Sequence, residues 1–300
     1  ERCTFERDVR DSTGTTVFVD EGSFVDCLFR SNSARYVLNA GFVELNRCTF
    51  ARNRIAGAFI IGCNEAQIRQ CLFAGNLSNE SICVFRVRIG ATIANCTFVG
   101  NRAATLSIID TWYMQEPVII TNCIFRDNVC TDTSWPMTVG NSPMVVQYSD
   151  VSDLTDLSAI WITAVANIDA DPLFVDPGYW DPNGTADDPN DDFFVEGDYH
   201  LKSQAGRWDP NSDSWVRDDV TSPCIDAGDP NSPIGDEPFP NGGVVNMGAY
   251  GGTTEASKSY FSEPISDTII AGDINGDEQG ANQDKMQIAE KNERGAKGRM

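Results

Sequence analysis

The chain is poor in the residues that most enzymes use for proton transfer. It has a single histidine, His200, and no lysine before Lys202. Serine or cysteine catalysis of the histidine-assisted kind would therefore have to pass through that one imidazole. No stretch approaches the roughly 18 to 20 apolar residues that span a bilayer, and the first residues lack the charged-then-apolar pattern of a secretory leader. Closely paired zinc cysteines, phosphate loops and dinucleotide fingerprints are also missing. A net charge of −22 disfavours nucleic acid and anionic lipid as partners and favours divalent cations.

That charge is unevenly placed. Residues 1–130 hold 13 arginines against 13 acidic residues, whereas residues 131–300 hold 9 basic against 31 acidic residues. With 41% apolar and 10% aromatic residues the chain has material for a substantial core.

One short phrase recurs. RCTFERD (2–8), DCLFRSN (26–32), RCTFARN (47–53), QCLFAGN (70–76), NCTFVGN (95–101) and NCIFRDN (122–128) place Cys3, Cys27, Cys48, Cys71, Cys96 and Cys123 at intervals of 24, 21, 23, 25 and 27 residues. A period near 24 signals a solenoid. Cys and Phe lie two apart, so on an extended backbone they share a face, and Thr49, Leu72, Thr97 or Ile124 between them faces the other way. Leu45, Ile68, Ile93 and Ile120 stand three before the cysteine. That odd offset requires a corner between the two positions. Asn32, Asn53, Asn76, Asn101 and Asn128, with Asp8 in the first copy, read as a ladder of turn residues tolerating left-handed backbone and lying outside the inward Cys-x-Phe. Segments such as 15–20, 57–63, 81–89 and 117–121 are rich in β-branched and aromatic residues, which gives about three short strands per coil. VQYSD (146–150) reads as a seventh copy, with Val146 in place of Cys and Tyr148 in place of Phe.

This pattern resembles the right-handed parallel β-helix family of pectate-lyase-like architecture, over about residues 1–150. The resemblance implies an all-β solenoid with identical side chains stacked inside, seven coils making a rod ~30 Å long. The ladder cysteines are then expected to be buried small hydrophobes, with Cys63 and Cys83 as a second short column; Cys130 and Cys224 are left either paired or free. Because Glu1 falls inside a repeat, a leader and a covering segment for the first coil are expected upstream.

After Asp150 the repeat gives way to Asp-Pro, Asn-Gly and Gly-Gly turns. DADPLF (169–174), YHLKS (199–203), SPCIDAG (222–228) and MGAYGG (247–252) resemble the C-terminal region of a secreted, planctomycete-type group of bacterial β-helix repeat proteins. Residues 151–262 are accordingly expected to form a loop-rich β module on or continuing the helix, with Phe174, Tyr199, Leu201 and Tyr250 buried and His200 structural. Residues 263–300 form an acidic tail. Within it, residues 271–284 resemble a degenerate dockerin or EF-hand loop, which implies calcium at Asp273, Asn275, Asp277 and Asp284; calcium is the one cofactor to which the sequence points. The acidic loop around Asp181, Asp187, Asp188, Asp191 and Asp192 is a further stretch that attracts cations.

Polygalacturonase-like hydrolysis is disfavoured, since its Gly-His-Gly segment is missing. A β-elimination lyase needs a cation and a base; on the coils the base must be Arg, and Arg86 and Arg88 are the candidates because they alternate with Phe85 and Val87. Arg52, Arg54 and Arg102 are expected on neighbouring coils, and Asp110 and Glu116 are the nearest acids in sequence. The favoured reading is a secreted or cell-surface, monomeric β-helix protein that binds extracellular polymers, polysaccharide first among them, through Arg86, Arg88, Trp112 and Tyr113, with Trp135 and Trp161 as further stacking residues and no evident catalytic centre. The alternatives are a calcium-dependent uronate lyase and a purely structural or adhesion module.

Overall fold

The structure is a computed structural model. It describes residues 2–9, 14–78, 84–103, 109–111, 116–130, 138–139, 143–152, 162–185 and 191–260. Among these the architecture is a parallel β-solenoid followed by a loop-rich module, with no helix. Each repeat contributes a three-residue rung to one sheet: Thr4–Glu6, Leu28–Arg30, Thr49–Ala51, Leu72–Ala74, Thr97–Val99 and Ile124–Arg126 pair in parallel, Phe opposite Phe. A second, longer sheet is formed by Thr15–Val25, Ser33–Asn46, Arg54–Arg69, Phe85–Ala94, Val118–Thr121, Met144–Gln147 and Ile162–Val165. In Ser33–Asn46 and Arg54–Arg69 two of the expected three strands are fused into one; later coils keep the first as a separate short piece, Leu77–Ser78 or Arg102–Ala103.

The interior is a set of columns. Phe5, Phe29, Phe50, Phe73, Phe98 and Phe125 stack with ring centroids 4.4 to 5.1 Å apart and planes within 11° of parallel. Leu45, Ile68, Ile93 and Ile120 are fully buried beside them. The corner between the two columns is a left-handed residue just before each cysteine: Asp26, Arg47, Gln70, Asn95 and Asn122 all have φ between 50° and 56°.

At the other end of each rung the left-handed residue is Ser31, Arg52, Gly75, Gly100 or Asp127, one position before the ladder asparagine. This corrects the outlying place expected for the asparagines: Asn32, Asn53, Asn76 and Asn101 are at most 1% exposed. Asn53 Oδ1 accepts from the Asn32 backbone N–H (3.0 Å), while Asn53 Nδ2 donates to the Phe29 carbonyl (2.9 Å), and the scheme repeats from coil to coil. An amide suits this place because it accepts and donates at once, so the corner's backbone groups are satisfied in the absence of water.

The cysteines do the same at the opposite corner. Cys123 Sγ accepts from the Cys96 N–H (3.4 Å) and donates to the Thr121 carbonyl (3.3 Å). Cys48, Cys71, Cys96 and Cys123 carry free thiols. Their role is therefore more than that of small hydrophobes. The seventh rung makes the point and corrects its expected alignment: Val146 pairs with Ile120, Tyr148 is the left-handed corner (φ 47°), and Ser149 takes the cysteine place. Ser149 Oγ accepts from the Cys123 N–H (3.0 Å) and donates to the Gln147 carbonyl (2.9 Å). One coil on, Asn167 does likewise for the Ser149 N–H (3.0 Å), and parallel pairing runs on as far as Ile168. Cys83 lies outside the described residues; Cys63 is buried, and burial pushes its thiol up to about 12.

The outward face of the rung sheet is not left to solvent. Ala74, Val99 and Ile124 form a second core with Phe174, Phe194, Tyr199, Leu201, Cys224, Ile225 and Met247, and Tyr250 packs against it. Phe194 lies against the rung corners so closely that a Cβ on Gly75 or Gly100 would come within 2.1 or 2.6 Å of its ring. Both glycines also have φ near 60°, so backbone conformation and ring contact select the same residue. Trp180 Nε1 donates to the Gly100 carbonyl (2.7 Å), and the Arg102 guanidinium stacks over the Trp180 ring at 4.3 Å.

Candidate functional site: a groove on the long sheet

With the rung sheet covered, the long sheet is the surface on which the sequence candidates can be placed. Arg86 and Arg88 lie on Phe85–Ala94, inward Phe85 and Val87 alternating with them as expected. Asp110 pairs in register with Arg86 on the next coil, and the two side chains form an ion pair in which the Asp110 carboxylate is wholly buried. Burial raises the Asp110 carboxyl while the Arg86 guanidinium pulls it down; the net direction is up. Arg86 also lies over the Phe59 ring, 4.1 Å from its centroid. A guanidinium engaged on both sides is a positioning element of the wall and a poor proton acceptor.

Arg88 differs. Cys63 pairs with Val87 but Glu65 pairs with Gly90, so Arg88 and Ile89 together oppose Asn64. The bulge follows directly on the outward position that alternation with Val87 gives Arg88; Arg88 is exposed, and no ion pair involves it among the described residues. Directly beyond the bulge is a groove of about 320 Å³. Its floor and walls combine apolar Phe42, Ile89, Pro117 and Ile119 with polar Glu65, Gln67, Thr92 and Glu116. Glu116 closes on Gly90, whose Cβ, if present, would sit 2.8 Å from that of Glu116. Such a surface offers hydrogen-bond acceptors and donors above an apolar floor, beside an exposed cation.

The structure thus brings Arg86, Asp110, Arg88 and Glu116 to one flank. It does not bring Arg52, Arg54 and Arg102 there. Arg52 lies 3.7 Å from Glu196, Arg54 donates to the Asp192 carbonyl (3.1 Å), and Arg102 pairs with the Asp192 carboxylate (2.7 Å), all in holding the C-terminal module. Asp192 is thereby committed to Arg102. Trp112, Tyr113, Trp135, Trp161, Asp187, Asp188 and the tail residues Asp273, Asn275, Asp277 and Asp284 lie outside the described residues. Glu65, Gln67 and Phe42 are site residues that sequence reasoning passed over. Their one signal was the polar alternation of Glu65, Gln67 and Arg69 between inward Ala66 and Ile68.

His200, expected to be structural, lies in the strand Asp198–Leu201 of the C-terminal module. Its ring is buried, bonded through Nδ1 to Asp198 (2.6 Å) and through Nε2 to Glu255 (3.4 Å), and stacked on Tyr250 at 3.7 Å. Burial opposes its positive charge, but the two carboxylates outweigh that and hold its pKa above the ordinary value. Phe174, Tyr199 and Leu201 are each at most 5% exposed, whereas Tyr250, expected to be buried with them, is only partly so. Cys224 is a buried free thiol 3.5 Å from Asp150 Oδ2.

The model of a protein family described as disaggregatase related matches residues 93–228. The match begins on a solenoid strand at Ile93 and ends at Gly228, the last residue of the SPCIDAG phrase, so it spans both the later coils and much of the module packed on them. No curated protein matches the chain.

Proposed function

We propose that this chain is a secreted or cell-surface β-solenoid that binds an extracellular polysaccharide along its long sheet, with Arg88 and the adjoining groove as the contact. The observation that carries this reading is an exposed Arg88 next in the chain to Ile89, which lines a groove of mixed polar and apolar character on a sheet of stacked parallel strands. A repeating polymer fits a surface that itself repeats, and an anionic polymer would meet Arg88. The match to a family described as disaggregatase related supports a ligand of that kind, since an aggregate is taken apart at the polymers that hold it together. Trp112 and Tyr113 remain proposed stacking residues for sugar rings, and the protein is proposed to act as a monomer.

Titration of the chain against a panel of neutral and uronate-containing polysaccharides is the test. Binding that weakens about tenfold or more in Arg88→Ala, a charged hydrogen-bonding partner being worth about 1.5–3 kcal/mol, supports the reading; equal affinity in wild type and Arg88→Ala removes Arg88 from the site, and silence across the panel favours a structural or adhesive role. A second reading, a calcium-dependent uronate lyase, draws on the Glu65 and Glu116 carboxylates lining the groove beside Arg88. Accumulation of unsaturated products with calcium present, abolished in Arg88→Ala, would establish it in place of simple binding.

A further inference from the structure

The loop module contains two acidic side chains that no cation accompanies among the described residues. Glu237 is 7% exposed; its Oε1 accepts two backbone N–H bonds, from Asn246 (2.8 Å) and Gly252 (2.8 Å), while its Oε2 is buried with no hydrogen-bond partner. Asp226 is its electrostatic neighbour, and Asp226 Oδ1 is likewise buried and unpartnered. Ser259, 5% exposed, stands beside the Asp226 carboxyl, yet its Oγ too makes no hydrogen bond of normal geometry. Three buried oxygens from three separate stretches of chain thus share one neighbourhood, and native proteins supply such atoms with a protein partner, an ordered water or an ion.

The surroundings are built to hold them there. Asn246, 1% exposed, accepts from the Asp226 N–H through Oδ1 (2.9 Å), donates its own N–H to Glu237, and donates Nδ2 to the Ser257 carbonyl (2.7 Å). Asn241 donates to the Glu237 carbonyl (3.2 Å) and bridges Ser259. Gly242 (φ 59°) presses on the Asp226 carboxylate so tightly that a Cβ would lie 2.0 Å from Oδ2. Burial raises Asp226 to about 6 and Glu237 to about 7, with Asp226 adding to the latter.

We propose that Asp226 Oδ1, Glu237 Oε2 and Ser259 Oγ bind a divalent cation of the calcium class, with water completing its shell. Carboxylate and hydroxyl oxygens with no imidazole or thiolate select a hard cation over zinc or copper. The described residues hold no group of three or more His, Cys, Asp or Glu side chains placed to share a metal, so the ion here relies on two carboxylates and neutral oxygens. Its effect is to lock the arc 237–246 and the segment 256–259 onto the SPCIDAG turn. This site is distinct from the tail residues Asp273, Asn275, Asp277 and Asp284.

The test is thermal melting and calcium titration calorimetry of the full chain, stripped with chelator and held at pH 8. An ion saturating at about 100 times its Kd should raise Tm by roughly 5 °C or more, by mass action on the folded form. Glu237→Gln keeps an oxygen for the Asn246 and Gly252 N–H groups, so it should melt in chelator at least as high as wild type while losing the calcium-induced rise; Asp226→Asn should lose it as well, and each variant should show one binding event fewer. A wild type unmoved by calcium overturns the proposal, as does a rise retained in both variants, which would place the ion elsewhere in the chain.

Discussion

At the scale of the residue, each corner of the solenoid is a hydrogen-bonding device that several side chains can operate. Cys123, Ser149 and Asn167 occupy one place in successive coils, and each accepts the N–H of the coil before it. The requirement is a short polar side chain that both accepts and donates, through one atom in cysteine and serine and through Oδ1 and Nδ2 in asparagine, so cysteine is there for its thiol rather than for oxidation. Cys123→Ser should therefore cost under about 1 kcal/mol, whereas Cys123→Ala leaves the buried Cys96 N–H unpaired and should cost about 1–3 kcal/mol. Urea denaturation of the two variants decides it; equal loss in both would refute the assignment. The same chemistry explains why the seventh copy was misaligned in the sequence. Val146 and Tyr148 imitate Cys and Phe by hydrophobic character, while Ser149 and Val151, the true equivalents, match by hydrogen bonding and register, which a hydrophobic pattern does not display.

At the scale of the element, the rung is a short strand clamped between two left-handed residues, and its outer face is a docking surface. The stacking of Phe29 through Phe125 was legible because six copies repeat it. The docking was not, because the residues involved, Ala74, Val99, Ile124 and the glycines at 75 and 100, look like ordinary variation along an outer face until the C-terminal module is placed on them. Gly100→Ala meets both a left-handed backbone and the Phe194 ring. It should destabilise by more than about 1 kcal/mol, and coupling with Phe194→Ala should be strong, since removing the ring removes the clash. A double-mutant cycle in which the two losses simply add would show that the contact is not made. Arg86 with Asp110 marks an intermediate case: the sequence named both residues, but only coil lengths and the register of Phe85–Ala94 make them a pair.

At the scale of the whole described chain, the charge asymmetry of the two halves becomes an internal complementarity. Arg30 pairs with Glu196, Arg102 with Asp192, and Arg126 with Asp150 and Asp169. Burial works against the Arg126 charge, yet the Asp150 and Asp169 carboxylates outweigh it and raise the pKa of the guanidinium. His200 adds a pH dependence. Its folded pKa lies above the ordinary 6.5, so its contribution is complete below pH 6.5 and is lost as pH rises through the folded value. Tm measured in chelator should fall as pH rises above 6.5, and less steeply in Glu255→Gln, where one of the two carboxylates facing the ring is gone; an identical slope in the variant would exclude His200 as the cause. None of this was visible in the sequence beyond the tally of charges, because His200 and Asp198 meet Glu255 only when the strand Asp198–Leu201 is folded against the stretch that follows MGAYGG.

The spacing of the coils carries one more consequence. From each ladder cysteine to its asparagine the count never changes: 27 to 32, 48 to 53, 71 to 76, 96 to 101 and 123 to 128 are all five. From asparagine to the following cysteine it grows, as 16, 18, 20 and 22 residues along successive turns. Variation is thus confined to the return path, and over these four turns it proceeds in pairs, the increment that preserves which side chains face inward on an extended strand, whereas the flanking turns, Asp8 to Cys27 and Asn128 to Ser149, count 19 and 21. Two-residue insertions in that path are the currency in which such a spiral can lengthen its rim and acquire new contacts, while the stacked aromatic spine beside it stays untouched.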